Sequence, residues 1–312
     1  MSVSDENLVD LRGKVVIVTG GNTGIGYATI QMLARKGAKV YMGARSEERA
    51  LAAIKNLQAE NINDGSVHWL KLDLSDPRAA KRAAQEFLGK ETRLDILGVS
   101  ALGPFKLDKD GLLDIMVTNH LSPFAFTDTL LPLMKETAKE SGSDVRIVNV
   151  SSRAHERLKP ETLATPESIN HYYGDTINGN LLSYGLTKLA NILHIKELQK
   201  RLIAESIPIT CIAVDPGTVK TAGSDEWLAS IPYFGWLLKN YIGPLVFKPW
   251  RNGAMPVSFA AAGKDVAAQR EKYQGVYIAP MASISQPNSA ALDERLQREC
   301  YETSQTIIAA LS

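Results

Sequence analysis

The chain has 312 residues, of which 45% are apolar and 22% charged, which is typical of a globular protein with one large α/β domain or two modest ones. Its 35 basic and 34 acidic residues leave a formal net charge of +1 and form no block of like charge, so nothing electrostatic favours a nucleic-acid partner or an acidic lipid surface. The two cysteines lie outside any CxxC motif and the N-terminus is unlike a signal peptide, so we predict a cytoplasmic protein. We also predict no membrane span, because the sequence has no apolar run of about 18 residues.

Short apolar runs alternate along the chain with segments of helical periodicity. The predicted strands cover residues 14–19, 38–42, 67–72, 94–99, 145–150, 209–214 and 275–278. The predicted helices cover residues 27–36, 46–60, 76–90, 109–139 and 181–206. This alternation predicts an α/β fold, a doubly wound parallel sheet (Rossmann fold) of about seven strands with helices on both faces. Because no linker divides residues 1–312, we predict a single domain, in which residues 153–180 and 222–250 interrupt the regular rhythm.

A glycine-rich turn, Thr-Gly-Gly-Asn-Thr-Gly-Ile-Gly at residues 19–26, follows the first predicted strand and precedes a helix. Glycines permit a sharp turn and a close approach of backbone to a pyrophosphate, and the helix N-terminus offers free N–H groups. We therefore predict a dinucleotide site, with a purely structural turn as the alternative. The candidate residues are Gly20, Asn22, Thr23, Gly24, Ile25 and Gly26.

Arg45 and Ser46 follow the second predicted strand, where an NAD-specific site usually has an acidic side chain for the ribose 2′-hydroxyl. A guanidinium and a hydroxyl suit a 2′-phosphate, so the sequence favours NADP(H) over NAD(H). The alternatives are that Arg45 is merely solvated, or that Arg49 makes the contact. After the third strand, Asp73 and Leu74 are candidates for the adenine pocket, although Asp73 could instead cap the helix that begins near residue 76.

Tyr184 and Lys188 are one turn apart at the start of a long predicted helix, so both side chains can face one cleft. The ammonium, together with the charge of an oxidised nicotinamide, is expected to lower the tyrosine pKa from its usual value of about 10. Such a tyrosine can exchange a proton with a substrate oxygen near neutral pH.

Ser151 and Ser152 end a predicted strand at the carboxyl edge, where open α/β sheets bind ligands, and a serine hydroxyl there can hold a substrate oxygen. Asn119 lies inside a long predicted helix, which it could kink while binding a water that reaches Lys188. Each of these residues taken alone could be a satisfied polar group or a cap. No side chains have metal-ligand spacing, so we predict no catalytic metal.

Together these residues resemble the short-chain dehydrogenase/reductase family over nearly the whole chain. The turn at residues 19–26 looks like its cofactor motif, and Asn119, Ser152, Tyr184 and Lys188 match its catalytic tetrad. Pro-Gly-Thr-Val at residues 216–219 matches the turn that holds the nicotinamide carboxamide. This match adds Pro216, Gly217, Val219 and Thr221 to the cofactor-binding candidates.

Residues 118–121, 146–155 and 184–191 look more narrowly like the retinol-dehydrogenase and WW-domain-oxidoreductase branch, which is also widespread in fungal secondary metabolism. The resemblance implies that Tyr184 is the general acid/base, that Ser152 orients the carbonyl and that Lys188 binds the nicotinamide ribose. It implies that Asn119 holds a relay water, and that hydride passes directly between nicotinamide C4 and the substrate carbon. The family also implies an intracellular enzyme, often a homo-oligomer built from helix faces.

The sequence departs from the family in two places. The family's Asn-Asn-Ala-Gly after the fourth strand is replaced by Val-Ser-Ala-Leu-Gly at residues 99–103, where Ser100 is expected to substitute weakly for the asparagine that ties two strands. The segment between Ser152 and Tyr184 is unusually long, and the insertion at residues 153–180 is a candidate cover for the active site. We interpret His171 within it as a surface histidine.

Aromatic and aliphatic side chains crowd residues 227–250, a segment that forms a substrate lid in the family. We interpret it as a lid over a bulky hydrophobic carbonyl or alcohol, with a subunit contact or a membrane-surface contact as alternatives. The predicted function is a ketone or aldehyde reductase, or the reverse alcohol dehydrogenase. The alternatives are an NADP-binding sensor without turnover and an isomerase or cyclase that uses the same pocket.

Overall fold

An eight-stranded sheet lies at the centre of the computed structural model, which describes residues 5–60, 62, 65–101, 103, 105–108, 110–217, 219–220 and 248–311. The strands of this sheet are β1 (Val15–Thr19), β2 (Lys39–Ala44), β3 (Ser66–Lys71), β4 (Ile96–Val99), β5 (Val145–Val150), β6 (Ile209–Val214), β9 (Tyr277–Ala279) and β10 (Ser283–Ser285), and a separate parallel pair consists of β7 (Val219–Lys220) and β8 (Lys248–Pro249). Their order across the large sheet is β10-β9-β6-β5-β4-β1-β2-β3. Neighbours are parallel except β9 and β10.

Helices cover both faces of this sheet. They are α1 (Gly24–Arg35), α2 (Glu47–Ala59), α3 (Pro77–Leu88), α4 (Asp114–Met116), α5 (Ser122–Lys139), α6 (Pro166–Ile169), α7 (Ile177–Ala204), α8 (Trp250–Ala262), α9 (Lys264–Ala268), α10 (Arg270–Tyr273), α11 (Ser289–Leu292) and α12 (Glu294–Ala310). The predicted fold class is therefore confirmed, with seven parallel strands and an additional antiparallel strand at the edge.

The alternation of side chains along β1 explains why the sheet has a core on each face. Val15 and Ile17 contact the core shared with α3, α5, α7 and α12, whereas Val16 and Val18 contact the core shared with α1, α2 and α8. All five residues of β1 are buried, as expected for a central parallel strand covered on both sides. The strand order reverses around β1, between β2 and β4, which opens a crevice at the carboxyl ends of these strands.

The helix predicted at residues 109–139 begins later and is not uniform. It consists of α4, a π-helical turn at Val117–Leu121 and then α5. The buried side chain of Asn119 lies in this π-helical turn, which is the distortion expected there. Helix α7 begins at Ile177, before its predicted start, because the Thr176 hydroxyl caps it by accepting a hydrogen bond from the Gly179 N–H at 2.9 Å.

The insertion at residues 153–180 is anchored to the C-terminal helix α12. The Glu299 carboxylate accepts hydrogen bonds from the Leu163 N–H at 2.8 Å and the Thr162 hydroxyl at 2.9 Å. The side chains of Leu158, Leu163 and Ile169 are buried in the core of this face. The insertion is therefore packed against the domain in the described structure.

Hydropathy gives no helix suited to crossing a membrane among the described residues.

Candidate active site

The glycine-rich turn between β1 and α1 has little room for side chains. Gly20 and Gly24 have φ angles of 62° and 58°, in the left-handed region that favours glycine. A Cβ atom on Gly26 would lie 2.4 Å from the Gly20 carbonyl oxygen, so the helix can start against the turn only without a side chain there. Thr23 is the N-cap of α1, but its side chain makes no capping hydrogen bond. The first-turn N–H groups of α1 are thus uncapped by a side chain, which suits an anionic ligand.

A cavity of about 830 Å³ extends along the carboxyl ends of β1, β2, β3 and β4. It brings together five predicted cofactor residues, which are Gly20, Asn22, Arg45, Asp73 and Leu74. Its wall continues through Ser100 and Gly103 to Thr118, next to the π-helical turn. The volume and the mixture of glycine, charged and apolar lining are suitable for a nucleotide.

Arg45 is exposed at the rim of this cavity and makes no hydrogen bond or ion pair with another described side chain or backbone group. Ser46 caps α2, because its hydroxyl oxygen accepts a hydrogen bond from the Arg49 N–H at 3.3 Å. Arg49 is exposed on α2 and is not among the described residues that line the cavity. Of the two arginines, Arg45 therefore lines the described cavity and Arg49 does not.

The carboxylate of Asp73 does not cap the following helix. It accepts hydrogen bonds from the Ser75 N–H at 3.0 Å and the Ser75 hydroxyl at 2.7 Å, while Asp76 caps α3 by accepting from the Arg78 N–H at 2.9 Å. The capping alternative for Asp73 is therefore wrong.

Strands β1 and β4 are tied together by Thr19 without the family's asparagine. Its hydroxyl donates to the Ser100 carbonyl oxygen at 2.8 Å and accepts from the Ser100 N–H at 2.9 Å. Both contacts on the β4 side are made by backbone groups of Ser100. The expectation that the Ser100 side chain substitutes for the asparagine is therefore wrong. The threonine of the glycine motif thus supplies the contact between these two strand ends.

The side chains of Ser152, Tyr184 and Lys188 meet at the carboxyl end of β5. The Ser152 side chain lies close enough to the Tyr184 hydroxyl to favour its ionised form, and the Ser152 oxygen accepts from the Ala154 N–H at 3.3 Å. The Lys188 ammonium donates to the Val150 carbonyl at 3.1 Å and lies 5.5 Å from the centre of the Tyr184 ring. The Ser151 hydroxyl donates to the Lys188 carbonyl at 2.8 Å, which joins α7 to this end of the strand.

Burial shifts the pKa values of both ionisable groups toward their neutral forms. It raises the pKa of Tyr184 to about 12, against the opposing effect of the nearby Ser152 side chain and with a smaller contribution from the Asp215 carboxylate. Burial also lowers the pKa of Lys188 to about 8. The lowered tyrosine pKa expected from the sequence is therefore not found in the protein chain alone.

Asn119 connects the cavity wall to the helix that carries Tyr184. Its carbonyl oxygen accepts from the Gly103 N–H at 3.0 Å, and its amide donates to the Thr187 hydroxyl at 3.1 Å. That hydroxyl in turn donates to the Tyr184 carbonyl oxygen at 2.8 Å. Asn119 is thus joined through Thr187 to the turn of α7 that carries Tyr184, and its side chain holds protein groups on both sides.

The predicted nicotinamide turn is described only in part. Gly217 has a φ angle of 79°, and its N–H donates to the buried Asp215 carboxylate at 2.8 Å. Pro216 is half-buried before it, and Val219 is buried beside Ile25 and Gly253. Residue 218, Thr221 and residues 222–247 of the predicted lid lie outside the described residues.

Trp250, at the end of the predicted lid, lies among the described residues. Trp250 begins α8 and packs edge to face on Tyr27 of α1, with ring centroids 5.9 Å apart and planes at 82°. This tryptophan belongs to the packing of two helices on the domain.

Sequence reasoning missed two polar residues of this region, Thr187 and Asp215. Thr187 lies inside the Tyr-x-x-x-Lys motif and Asp215 directly precedes the predicted turn at Pro216, so proximity to the motifs was the available signal. Among the described residues, no group of three or more His, Cys, Asp or Glu side chains is arranged to hold a metal ion.

This sheet, its glycine-rich turn and the polar cluster at its carboxyl edge define a dinucleotide-binding protein of the Rossmann type. The family model described as short chain dehydrogenase matches residues 14–163. A short-chain dehydrogenase/reductase of Armillaria gallica is 43% identical over 311 residues, which cover 98% of this chain and 96% of that protein. The protein therefore belongs to the short-chain dehydrogenase/reductase family, a family of oxidoreductases that bind nicotinamide cofactors.

Other relatives agree with this assignment. Human dehydrogenase/reductase SDR family member 13 is 34% identical over 304 residues, which cover 96% of this chain and 74% of that protein, and the predicted retinol-dehydrogenase-like branch is confirmed. The crystal structure of an uncharacterised protein from Mycobacterium paratuberculosis has a TM-score of 0.70 and 25% identity, with 99% of this chain and 98% of that chain covered. The NADP complex of Pseudomonas aeruginosa RhlG has the same fold, with a TM-score of 0.64, 24% identity and coverage of 89% and 98%.

Proposed function

We propose that this protein is an NADP(H)-dependent oxidoreductase that interconverts a bulky hydrophobic ketone or aldehyde and its alcohol. The observation that carries the proposal is the convergence of the Ser152, Tyr184 and Lys188 side chains at the carboxyl edge of β5. A serine and a tyrosine hydroxyl held together can bind one substrate oxygen from two directions. A module that only binds a cofactor has no need of this arrangement.

The residues of the glycine-rich turn fit a dinucleotide, because a Cβ atom would fill the close approach at Gly26 and the N-terminus of α1 lacks a side-chain cap. In this proposal, bound nicotinamide supplies or accepts the hydride at its C4 atom. Ser152 holds the substrate oxygen, and Tyr184 gives that oxygen its phenolic proton during carbonyl reduction. A tyrosine with a pKa of about 12 carries its proton at neutral pH, and the proton transfer then depends on stabilisation of the phenolate that it leaves.

Lys188 acts on Tyr184 and on the nicotinamide ribose in the same proposal. Its ammonium lies close enough to the Tyr184 ring to stabilise the phenolate left after proton transfer. Asn119 shapes the helix around this site, and we propose that the π-helical turn at its position holds the relay water.

The proposed preference for NADP(H) is supported by the exposed guanidinium of Arg45 at the cavity rim and by the lack of an acidic residue at that strand end. We therefore expect Arg45→Asp to lower the ratio of kcat/KM with NADPH to kcat/KM with NADH by about tenfold or more, because a charge-assisted contact of about 1.5–3 kcal/mol becomes a repulsion. Steady-state kinetics with both cofactors provide the measurement.

Arg49→Asp is the matched control for this prediction, because it makes the same change of charge on the same helix start but outside the described cavity lining. It should change the cofactor ratio by less than about threefold. An unchanged ratio in the Arg45 variant, or an equal change in both variants, contradicts the proposed role of Arg45.

The preference for a bulky apolar substrate rests on the composition of residues 227–247 together with the proposed lid role of that segment. The proposed cover formed by residues 153–180 is supported by their anchoring to α12.

Homo-oligomerisation and a cytoplasmic location stay predictions. Fungal relatives such as the Armillaria gallica protein support our proposal of a place in fungal secondary metabolism.

The proposed function is tested by NADPH consumption with a panel of aromatic, polycyclic and long-chain ketones and aldehydes, with alcohol formation followed by chromatography. We expect consumption of NADPH matched by alcohol for at least one carbonyl of the panel. Tight NADPH binding without alcohol formation from any member would support the sensor alternative instead. That alternative drew its support from the missing asparagine after β4, and the contacts of Thr19 with Ser100 weaken this support.

A further inference from the structure

His155 is fully buried at the end of the Ser-Ser-Arg-Ala-His motif and makes contacts at both ring nitrogens. Its Nδ1 atom lies 2.7 Å from the Ser152 carbonyl oxygen, and its Nε2 atom lies 3.3 Å from the backbone nitrogen of Asn288. The carbonyl oxygen can only accept and the backbone N–H can only donate. These partners therefore fix one tautomer, a neutral imidazole with its proton on Nδ1.

The surrounding contacts hold the imidazole ring in place. The Asn288 amide donates to the carbonyl oxygens of His155 at 2.9 Å and Leu158 at 2.8 Å, which ties the segment before α11 to the turn that follows β5. The ring of Tyr277 packs edge to face on the imidazole, with centroids 5.2 Å apart.

The same cluster reaches the other side of the proposed active site. The Tyr277 hydroxyl donates to one oxygen of Asp215 at 3.3 Å, and the other oxygen of Asp215 accepts from the Gly217 N–H at 2.8 Å. His155 thus stands between Ser152 and a buried group of side chains that also supports the predicted nicotinamide turn.

We propose that His155 is a positioning residue for the reaction, which holds the Ser152 carbonyl through Nδ1–H and thereby directs the Ser152 hydroxyl toward the Tyr184 oxygen. The peptide group that follows Ser152 carries the carbonyl that His155 binds, and the next peptide carries the Ala154 N–H that binds the Ser152 oxygen. The backbone N–H of His155 also donates to this carbonyl at 3.2 Å, so the Nδ1–H is a second donor that keeps the turn, and with it the Ala154 N–H, in place against the Ser152 oxygen. This inference rests on the proposed function, in which Ser152 orients the substrate oxygen.

The two ring nitrogens can be tested separately by a pair of amide substitutions. His155→Asn places an N–H donor where Nδ1 lies, whereas His155→Gln places an acceptor where Nε2 lies and removes the Nδ1 donor. We expect His155→Gln to lower kcat about tenfold to 100-fold, since a small misplacement of a substrate-orienting group has effects of this size, with KM for NADPH changed by less than about threefold. His155→Asn should restore kcat to within about threefold of the parent.

His194→Gln is the matched control, because His194 is another buried histidine whose Nδ1 has no partner among the described residues. It should leave kcat within about threefold of the parent, which shows that loss of a buried imidazole alone does not lower the rate. Equal kcat in the parent and His155→Gln, or equal impairment in the Gln and Asn variants, would overturn the proposal.

A second measurement is independent of turnover. A long-range ¹H–¹⁵N correlation spectrum of the ¹⁵N-histidine protein bound to NADPH, assigned by comparison with His155→Asn, should show a neutral imidazole protonated at Nδ1. A proton on Nε2 overturns the proposal. If the parent reduces no carbonyl, the proposed function fails, and this spectrum alone decides whether His155 holds the Ser152 carbonyl.

Discussion

Replacement of Tyr184 by phenylalanine should lower kcat for carbonyl reduction by about 10²–10⁴, the usual contribution of a positioned general acid. The change removes the hydroxyl beside Ser152 and leaves the ring that lies 5.5 Å from the Lys188 ammonium. The site keeps its shape but loses its proton donor. Steady-state kinetics at saturating NADPH and carbonyl give the measurement, and the dissociation constant of NADPH should change by less than about threefold.

Tyr273→Phe is the control for this substitution, because it removes a hydroxyl from another buried tyrosine, which packs against Phe259 with ring centroids 6.0 Å apart. It should leave kcat within about twofold of the parent. Retention of more than about a tenth of the parent kcat by Tyr184→Phe would contradict the role of Tyr184 as the general acid.

Of the substitutions considered, replacement of Arg146 by methionine should lower the free energy of unfolding the most. This arginine on β5 is 1% exposed, donates to the Ala260 carbonyl at 3.0 Å and the Gly263 carbonyl at 3.2 Å, and pairs with Asp144 at 2.5 Å. Methionine fills the space but removes the guanidinium donor of the Ala260 carbonyl, whereas the Gly263 carbonyl still accepts from the Ala267 N–H at 3.1 Å. Loss of one partner of a buried ion pair costs about 3–5 kcal/mol, and we expect the lower end because Arg270 still pairs with Asp144 at 3.1 Å.

Thermal unfolding provides the measurement, with an expected fall in Tm of roughly 6 °C or more. Lys90→Met is the control, since it removes an exposed partner of Glu86 and should change the free energy of unfolding by less than about 0.5 kcal/mol. Equal Tm values for Arg146→Met and the parent would show that the buried contacts of Arg146 do not stabilise the domain.

The same pair predicts a pH dependence. Burial opposes ionisation of Asp144, but the hydrogen bonds and charges of Arg146 and Arg270 prevail and hold the pKa of this carboxyl below its ordinary value of 3.8. A carboxyl with a lowered folded-state pKa stabilises the protein above its unfolded-state pKa and loses that contribution as the pH falls. Without Arg146 the folded-state pKa rises, so the stabilisation above the unfolded-state pKa is smaller, and the variant loses less free energy of unfolding than the parent when the pH falls.

The strands of the sheet could be predicted because their signal is local. Val-Val-Ile-Val-Thr in β1 is a continuous apolar run, which a doubly covered parallel strand requires. The edge strand β10 has only three residues, two of them serines, and gives no such signal. Helix α8 was not predicted, because it contains Gly253 and Pro256, and these residue types usually indicate a break in a helix. The structure shows why a glycine stands at position 253, since it lies against Val219 at a distance that leaves no room for a side chain.

The candidate site could be predicted as a set of residues but not as a set of contacts. The spacing of Tyr184 and Lys188 places them on one helix face, and Ser152 ends a strand, so their meeting follows from the fold. Thr19 hydrogen-bonds the backbone of Ser100, and Asn119 hydrogen-bonds the backbone of Gly103. Every residue type has these backbone groups, so the sequence does not indicate which of them a side chain will bind. The raised pKa of Tyr184 depends on burial, which only the packed structure shows.

Hydride transfer itself is best tested by reduction of an accepted carbonyl with NADPH carrying deuterium at C4, in each of its two epimers, followed by mass spectrometry of the alcohol. The account predicts that one epimer delivers its deuterium to the alcohol carbon and that the Tyr184→Phe protein does so far more slowly. Oxidation of both epimers without deuterium in the alcohol would contradict direct transfer between nicotinamide and the substrate carbon.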